Sequence, residues 1–274
     1  MTITVTGATG HLGQLILSEL KGHDAVRAVA RRPEAIEGVE ARLGDYDRPE
    51  TLASAFAGTD TLVFISASEV GRRDAQHRAV IEAAVEAKVG RIVYTSITLA
   101  DTSPIPIAPE HKTTEALLKA TGIPYTFLRN NWYYENYTGN LAGTVEHGVV
   151  LGSAGNGRIA AATRADYAAA AAVVARTDGH ENKIYELGGD QAFTMSEYAE
   201  AVAQRFGKPV AYHDLPVADY AKALEGFGVP SAFADVLARS DAAIAKGALD
   251  VVTGDLSRLI GRPTTTLAEF LRRL

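Results

Sequence analysis

The feature that most constrains this chain is Thr6-Gly7-Ala8-Thr9-Gly10-His11-Leu12-Gly13, which follows an apolar run at residues 3–6 and opens a stretch of helical period. A strand that turns into a helix within so few residues needs the conformational freedom of Gly7, and Gly13 lets helix and strand pack closely. Gly10 leaves the backbone open to a pyrophosphate. The helix behind it presents unpaired N–H groups and the positive end of its dipole. A purely structural turn with no ligand has the same spelling, so the position directly after a strand gives the motif its weight.

The pattern continues along the chain. Apolar, β-branched runs at 3–6, 25–30, 61–66, 91–96 and 124–128 alternate with helical stretches, and turn-rich pieces at 7–10, 44–47 and 103–109 separate them. This alternation is the signature of βαβ units on a parallel sheet. Beyond residue 151 it loosens into an alanine-rich helix at 165–175, a short strand near 184–187 and further helices. The compact alanine face reads as close helix packing and carries no chemistry. We therefore expect an α/β, Rossmann-type doubly wound parallel sheet with a smaller C-terminal α/β cap. Residues 1–150 form the dinucleotide-binding core in this reading, and residues 151–274 the cap, packed on it as one structural unit.

Composition narrows the partners. With 27 Lys and Arg against 33 Asp and Glu, the net charge is -6, so no global basic field exists to gather nucleic acid. The absence of cysteine removes disulfides, thiolate catalysis and Cys-ligated metals. No apolar run reaches the ~18 residues of a membrane span. Strand-like sequence from Thr2 leaves no room for a signal peptide, and a cytoplasmic location is the simplest expectation.

The end of the second strand separates the two nicotinamide dinucleotides. An acidic residue there accepts the ribose hydroxyls of NAD, whereas this chain has Arg31-Arg32. A carboxylate would repel a 2'-phosphate; a guanidinium meets it with charge-assisted, often bidentate hydrogen bonds. NADPH is accordingly the expected cofactor, with Arg31 ahead of Arg32; the alternative is a solvated arginine pair. Asp45-Tyr46, after the third strand, and Ser66-Ala67-Ser68, after the fourth, fall where strand C-termini edge a cofactor crevice. Both also suit ordinary loop chemistry.

Carbonyl-reducing short-chain dehydrogenases use a Tyr-x-x-x-Lys pair, in which lysine lowers the tyrosine pKa. None of the 11 tyrosines here has Lys four residues later. After Tyr94-Thr95-Ser96 the corresponding helix carries His111-Lys112-Thr113-Thr114-Glu115 instead. His111 and Glu115 lie one helical turn apart and could share a face and a proton; an exposed helix pair is the other reading. His111 is an auxiliary catalytic candidate, and two such groups without a third partner make no metal site.

A last stretch, Arg129-Asn130-Asn131-Trp132-Tyr133-Tyr134-Glu135-Asn136-Tyr137, begins where the sixth strand ends and holds the only tryptophan. Aromatic rings at the mouth of a parallel sheet can stack a planar molecule beside nicotinamide while Asn side chains bind its polar atoms. A packed loop that caps the core is the alternative.

With these residues in view, the chain resembles the NmrA-like branch of the atypical short-chain dehydrogenase/reductases. Within it the pattern is most similar to bacterial NAD(P)H:quinone oxidoreductases and triphenylmethane-dye reductases. The likeness runs end to end through TGATGHLG, GDYD, VFISASEVG, YTS, FLRNNWYYENY, TRADYAAAAA and LIGRPTTTLAEF. It implies NADPH contacts from Gly7 through Thr9, Gly10 and His11 to Leu12, next to the Gly13 of the same motif, at Arg31, at Ser66, Ala67 and Ser68, and along Asn130, Asn131, Trp132, Tyr133, Tyr134 and Glu135. It also implies a small quinone-like acceptor near Trp132, Tyr133, Asn136 and Tyr137. Such an acceptor takes a hydride without an acid polarising a carbonyl, so orientation and desolvation would do most of the catalysis. Some members of the branch sense the nucleotide without turnover, which keeps a redox sensor as the alternative.

Overall fold

The computed structural model describes residues 1–23 and 25–274. In chain order its elements are β1 (Ile3–Val5), α1 (His11–Glu19), β2 (Val26–Ala30), β3 (Glu40–Leu43), α2 (Leu52–Phe56), β4 (Thr61–Phe64), α3 (Arg73–Glu86), β5 (Arg91–Ile97), α4 (Ala108–Ala120) and β6 (Tyr125–Asn130). There follow α5 (Leu141–His147), β7 (Val149–Gly152), α6 (Arg164–Arg176), β8 (Lys183–Leu187), α7 (Met195–Phe206), β9 (Ala211–Asp214), α8 (Val217–Gly226), α9 (Ser231–Ile244), α10 (Asp255–Ile260) and α11 (Leu267–Arg272).

Among the described residues, seven strands form one sheet in the order β3-β2-β1-β4-β5-β6-β8. Every neighbouring pair is parallel. The period of two along a strand sorts each side chain to one face. Leu62, Phe64, Ile92, Tyr94 and Phe127 join the core under α2, α3 and α4. Val63, Val93 and Leu128 point the other way, into the core under α1 and α6. Burying a large apolar side chain stabilises by ~1.5–3 kcal/mol, so both faces hold the sheet. On α6, Ala168, Ala171, Ala172 and Ala175 are buried, the close packing expected of that alanine face.

The strand order reverses between β1 and β4, and at such a switch point the loops diverge and leave a crevice beyond the strand C-termini. Two strand ends differ from expectation for reasons that matter to it. β4 stops at Phe64, two residues before the expected 66, so that residues 65–69 form crevice wall. β6 continues to Asn130 because Arg129 and Asn130 still pair with Glu186 and Leu187 of β8.

The division expected at residue 150 does not fall between layers. β8 completes the main sheet, and α6 covers the same face as α1. α10 joins the same core through Leu256, while α7, α9 and α11 gather around a separate apolar cluster including Tyr134, Ile159, Phe193, Val202, Ile244 and Phe270. A parallel pair, β7 with β9, belongs to this cap; sequence periodicity alone had not suggested it.

Candidate functional site

The glycine turn has the geometry its spelling requires. Gly7 adopts φ +58°, and a Cβ on Gly13 would lie 2.3 Å from the Gly7 carbonyl oxygen. Only hydrogen fits there. Gly10 caps α1 with no side-chain hydrogen bond and no acidic residue in the first turn. The first N–H groups of the helix are therefore left without a side-chain acceptor and face the crevice with the dipole. Thr9 and His11 are exposed beside them, and Leu12 is half-buried against the α1/α6 core.

These residues line a cleft of about 500 Å³ together with Arg31, Arg32, Asp45, Tyr46, Ser66, Ala67 and Ser68. The structure thus brings four separated sequence segments to one place. Arg31 and Arg32 are exposed, and among the described residues neither guanidinium has an ion pair or hydrogen bond. Asp45 accepts the Asp47 N–H at 3.1 Å and shapes the turn after β3. The Tyr46 hydroxyl is committed beneath the floor, where it donates toward Thr6 Oγ1 at 2.5 Å and the Ile65 carbonyl at 2.9 Å. Burial pushes that phenol well above its ordinary value.

The wall at residues 66–69 is fastened by groups that sequence reading did not single out. Ser66 donates its N–H to Thr95 Oγ1 at 2.9 Å, and Ala67 donates its N–H to His77 Nε2 at 2.9 Å. Because Nε2 accepts, the proton of the neutral ring is on Nδ1, which donates to Thr114 Oγ1 at 2.8 Å. Thr114 passes its own proton to the Glu110 carbonyl at 2.8 Å. Burial, with Arg73 nearby, pushes the His77 pKa down to about 3. Arg73 donates to the Ala67 carbonyl at 2.6 Å and to Glu110 at 2.9 Å, closing a second brace. The signal lay in α3: Arg73, Gln76 and His77 are polar at the spacing of core-facing positions and are buried there.

His111 and Glu115 do share the buried face of α4, yet they do not pair. His111 Nδ1 meets the Tyr94 hydroxyl at 2.8 Å inside the core, and burial holds its pKa well below the usual value. Glu115 instead accepts from Ser96 Oγ at 2.7 Å and from Arg129 at 2.6 and 2.9 Å. Arg129 also reaches Glu186 at 2.9 Å and Asp101 at 2.6 Å, tying β5, β6, β8 and α4 together. The exposed-pair reading and the shared-proton reading both give way to separate buried partners. His111 does not line the cleft.

The segment after β6 divides. Asn131 is fully engaged, its Nδ2 donating to the Leu249 carbonyl at 3.1 Å and its Oδ1 accepting the Trp132 N–H at 2.7 Å. The Tyr134 ring is 2% exposed, stacked on Phe270 at 5.3 Å, and its N–H is taken by the Ala162 carbonyl. Neither residue lines the cleft. Unlike these engaged groups, Asn130 Oδ1 and Glu135 Oε2 are both buried without a hydrogen-bond partner among the described residues. Tyr133 lies under the Arg164 guanidinium at 4.8 Å, and Arg164 itself reaches the cleft. Arg164 also donates its N–H to Glu135 and a guanidinium N–H to Asn136 Oδ1 at 3.2 Å. Trp132 and Tyr137 are half-buried against the cap cluster, Tyr137 near Tyr198 at 5.2 Å.

Comparison with known proteins agrees with this geometry. A family model described as NAD(P)H-binding matches residues 7–177. Quinone oxidoreductase 2 of Escherichia coli is 48% identical, over 99% of this chain and 98% of its own length. The crystal structure of an NADPH-dependent quinone oxidoreductase from E. coli complexed with NADPH superposes with TM-score 0.96 at 47% identity, covering 99% of both chains. The Citrobacter sp. triphenylmethane reductase complexed with NADP(H) gives TM-score 0.94 at 37% identity, covering 100% of this chain and 99% of its own. Among the described residues no helix is long and apolar enough to cross a membrane.

Proposed function

The chain belongs to the NAD(P)H-binding family, in its NmrA-like branch, and from that premise we propose that it is an NADPH-dependent oxidoreductase acting on a quinone or similar planar electrophile. The observation that carries this reading is a cleft at the β1/β4 switch point that combines an uncapped α1 N-terminus with two unpaired arginines. A phosphorylated dinucleotide answers both. The unpartnered Asn130 Oδ1 fits the same group.

In this reading the turn of Gly7, Thr9, Gly10, His11, Leu12 and Gly13 cradles the diphosphate, with the free N–H groups of the first turn of α1 directed at it while the Gly10 N–H closes the turn on the Gly7 carbonyl. Arg31, with Arg32 beside it, neutralises the 2'-phosphate. Asp45, Tyr46, Ser66, Ala67 and Ser68 wall the cleft; Asn130 offers an acceptor oxygen to a carboxamide, with Glu135, ion-paired to Arg164 at 3.9 Å, beside it. When bound, NADPH supplies the hydride. Trp132, Tyr133, Asn136 and Tyr137 orient the acceptor and exclude water, the protein's chief contribution to such a step. His111, neutral and hydrogen-bonded to Tyr94 away from the cleft, is not a proton source for it.

The test is NADPH absorbance followed with and without a simple benzoquinone. Quinone-dependent loss of NADPH, faster than with NADH, is the expected result. Tight NADPH binding without consumption across benzoquinones, naphthoquinones and cationic dyes would replace the reductase with a nucleotide sensor.

A further inference from the structure

Gln76 stands on the first turn of α3, is 4% exposed, and lines the same cleft as Asp47 and Ser66. Its Nε2 donates to Asp47 Oδ1 at 3.1 Å, and Arg72 donates to the same oxygen at 2.7 Å. A carboxylate oxygen only accepts, so the amide is oriented without ambiguity: NH2 toward Asp47, carbonyl away from it. That carbonyl, Oε1, is buried and has no hydrogen-bond partner among the described residues. A buried acceptor left unpaired is costly, and its presence at a ligand cleft calls for a donor on the ligand.

We propose that Gln76 is a specificity residue that reads the purine edge of the dinucleotide, its Oε1 accepting a hydrogen bond from the 6-amino group of adenine. The inference rests on the NADPH reading of the cleft and adds what the phosphate contacts leave open, the identity of the base. The phosphate-binding groups are indifferent to the base. A 6-oxo purine presents a carbonyl where adenine presents NH2, setting two acceptor oxygens against each other. Gln76 has no inexpensive response, because flipping its amide would turn its carbonyl onto the Asp47 carboxylate. The Asp47 contact is thus what makes a symmetric-looking side chain selective.

The test compares dissociation constants, from nucleotide fluorescence, of NADPH and its hypoxanthine analogue for the wild-type protein and for Gln76→Leu. The wild type should prefer NADPH by about tenfold or more, and Gln76→Leu should bring the two within roughly twofold, chiefly by weakening NADPH. The variant should keep the wild-type preference for NADPH over NADH, which belongs to Arg31. Equal wild-type affinities would overturn the proposal, as would a leucine variant that still discriminates. The wild-type comparison decides the matter even if the variant fails to fold. Discrimination without quinone turnover would remove the reductase reading and leave Gln76 its role; turnover without discrimination would do the reverse.

Discussion

Arg31 has no partner among the described residues, although charged side chains of this molecule that lie inward are paired, Arg129 with three carboxylates among them. Arg31→Ala should therefore remove a contact made to ligand rather than to protein, weakening NADPH by ~10- to 100-fold with little change for NADH. Equal losses for both nucleotides in fluorescence titrations would contradict the assignment. His111 presents the opposite case, a titratable group consumed by the fold. His111→Ala should leave most quinone turnover in place while lowering stability by ~1–3 kcal/mol, the cost of an unpaired Tyr94 hydroxyl. A fall of about a hundredfold in kcat/KM would instead mark a proton donor. The glycines and Arg31 were legible in the sequence because their roles are local: a tight turn, a charge at a strand end. Gln76, His77 and Arg73 were not, since each acts through partners that meet only when α3 packs beside the loops after β3 and β4. Nor was it legible that the Asn131 amide meets distant Leu249 and the Tyr134 ring stacks on distant Phe270.

Among elements, the approach of α1 to the turn after β1 shapes the cleft, and at Gly13 the helix lies against the Gly7 and Ala8 backbone. Gly13→Ala adds one methyl against the Gly7 backbone, which must move; overpacking of this kind costs ~1–3 kcal/mol. Melting temperature and NADPH affinity should fall together, and a variant that lost neither would show the helix free to shift. A second joint lies at the far end of the sheet, where Arg129 binds Glu115, Glu186 and Asp101. Arg129→Met leaves Glu115 buried and uncompensated, so a loss of ~3–5 kcal/mol is expected from urea unfolding. The parallel sheet and its intervening helices followed readily from the alternation of apolar runs, since parallel strands covered on both faces are continuously apolar. The β7/β9 pair escaped notice because strands of four residues, with half of them buried in β7 and none in β9, carry too little periodic signal.

For the molecule as a whole, acid stability follows from groups whose charge the fold suppresses. His77 and His111 stay neutral when folded but take up protons when unfolded below about pH 6.5. Each makes stability fall with pH, by about 1.4 kcal/mol per unit, and half-buried His180 is shifted the same way. Asp241 works against them. Burial raises its carboxyl to about 6, so the folded state holds a proton that the unfolded chain releases, and stability gains as pH falls through that value. Asp241→Asn should therefore steepen the acid loss by about 1.4 kcal/mol per unit below pH 6, read from urea midpoints at neutral pH and after acidification. A slope unchanged by the substitution would show that Asp241 titrates normally. The same residue donates no side-chain proton to Ser153 but accepts its N–H at 2.8 Å, joining α9 to the end of β7. Above that joint α8 contributes no buried residue, and Phe227 and Phe233 are 63% and 47% exposed. So little burial gives the outer part of this hairpin its own, shallower opening equilibrium. Deuterium should enter the amides of α8 and the first half of α9 well before those of β5 and β6, making the hairpin an outrigger that unfolds and refolds while the sheet, and whatever it holds, stays shut.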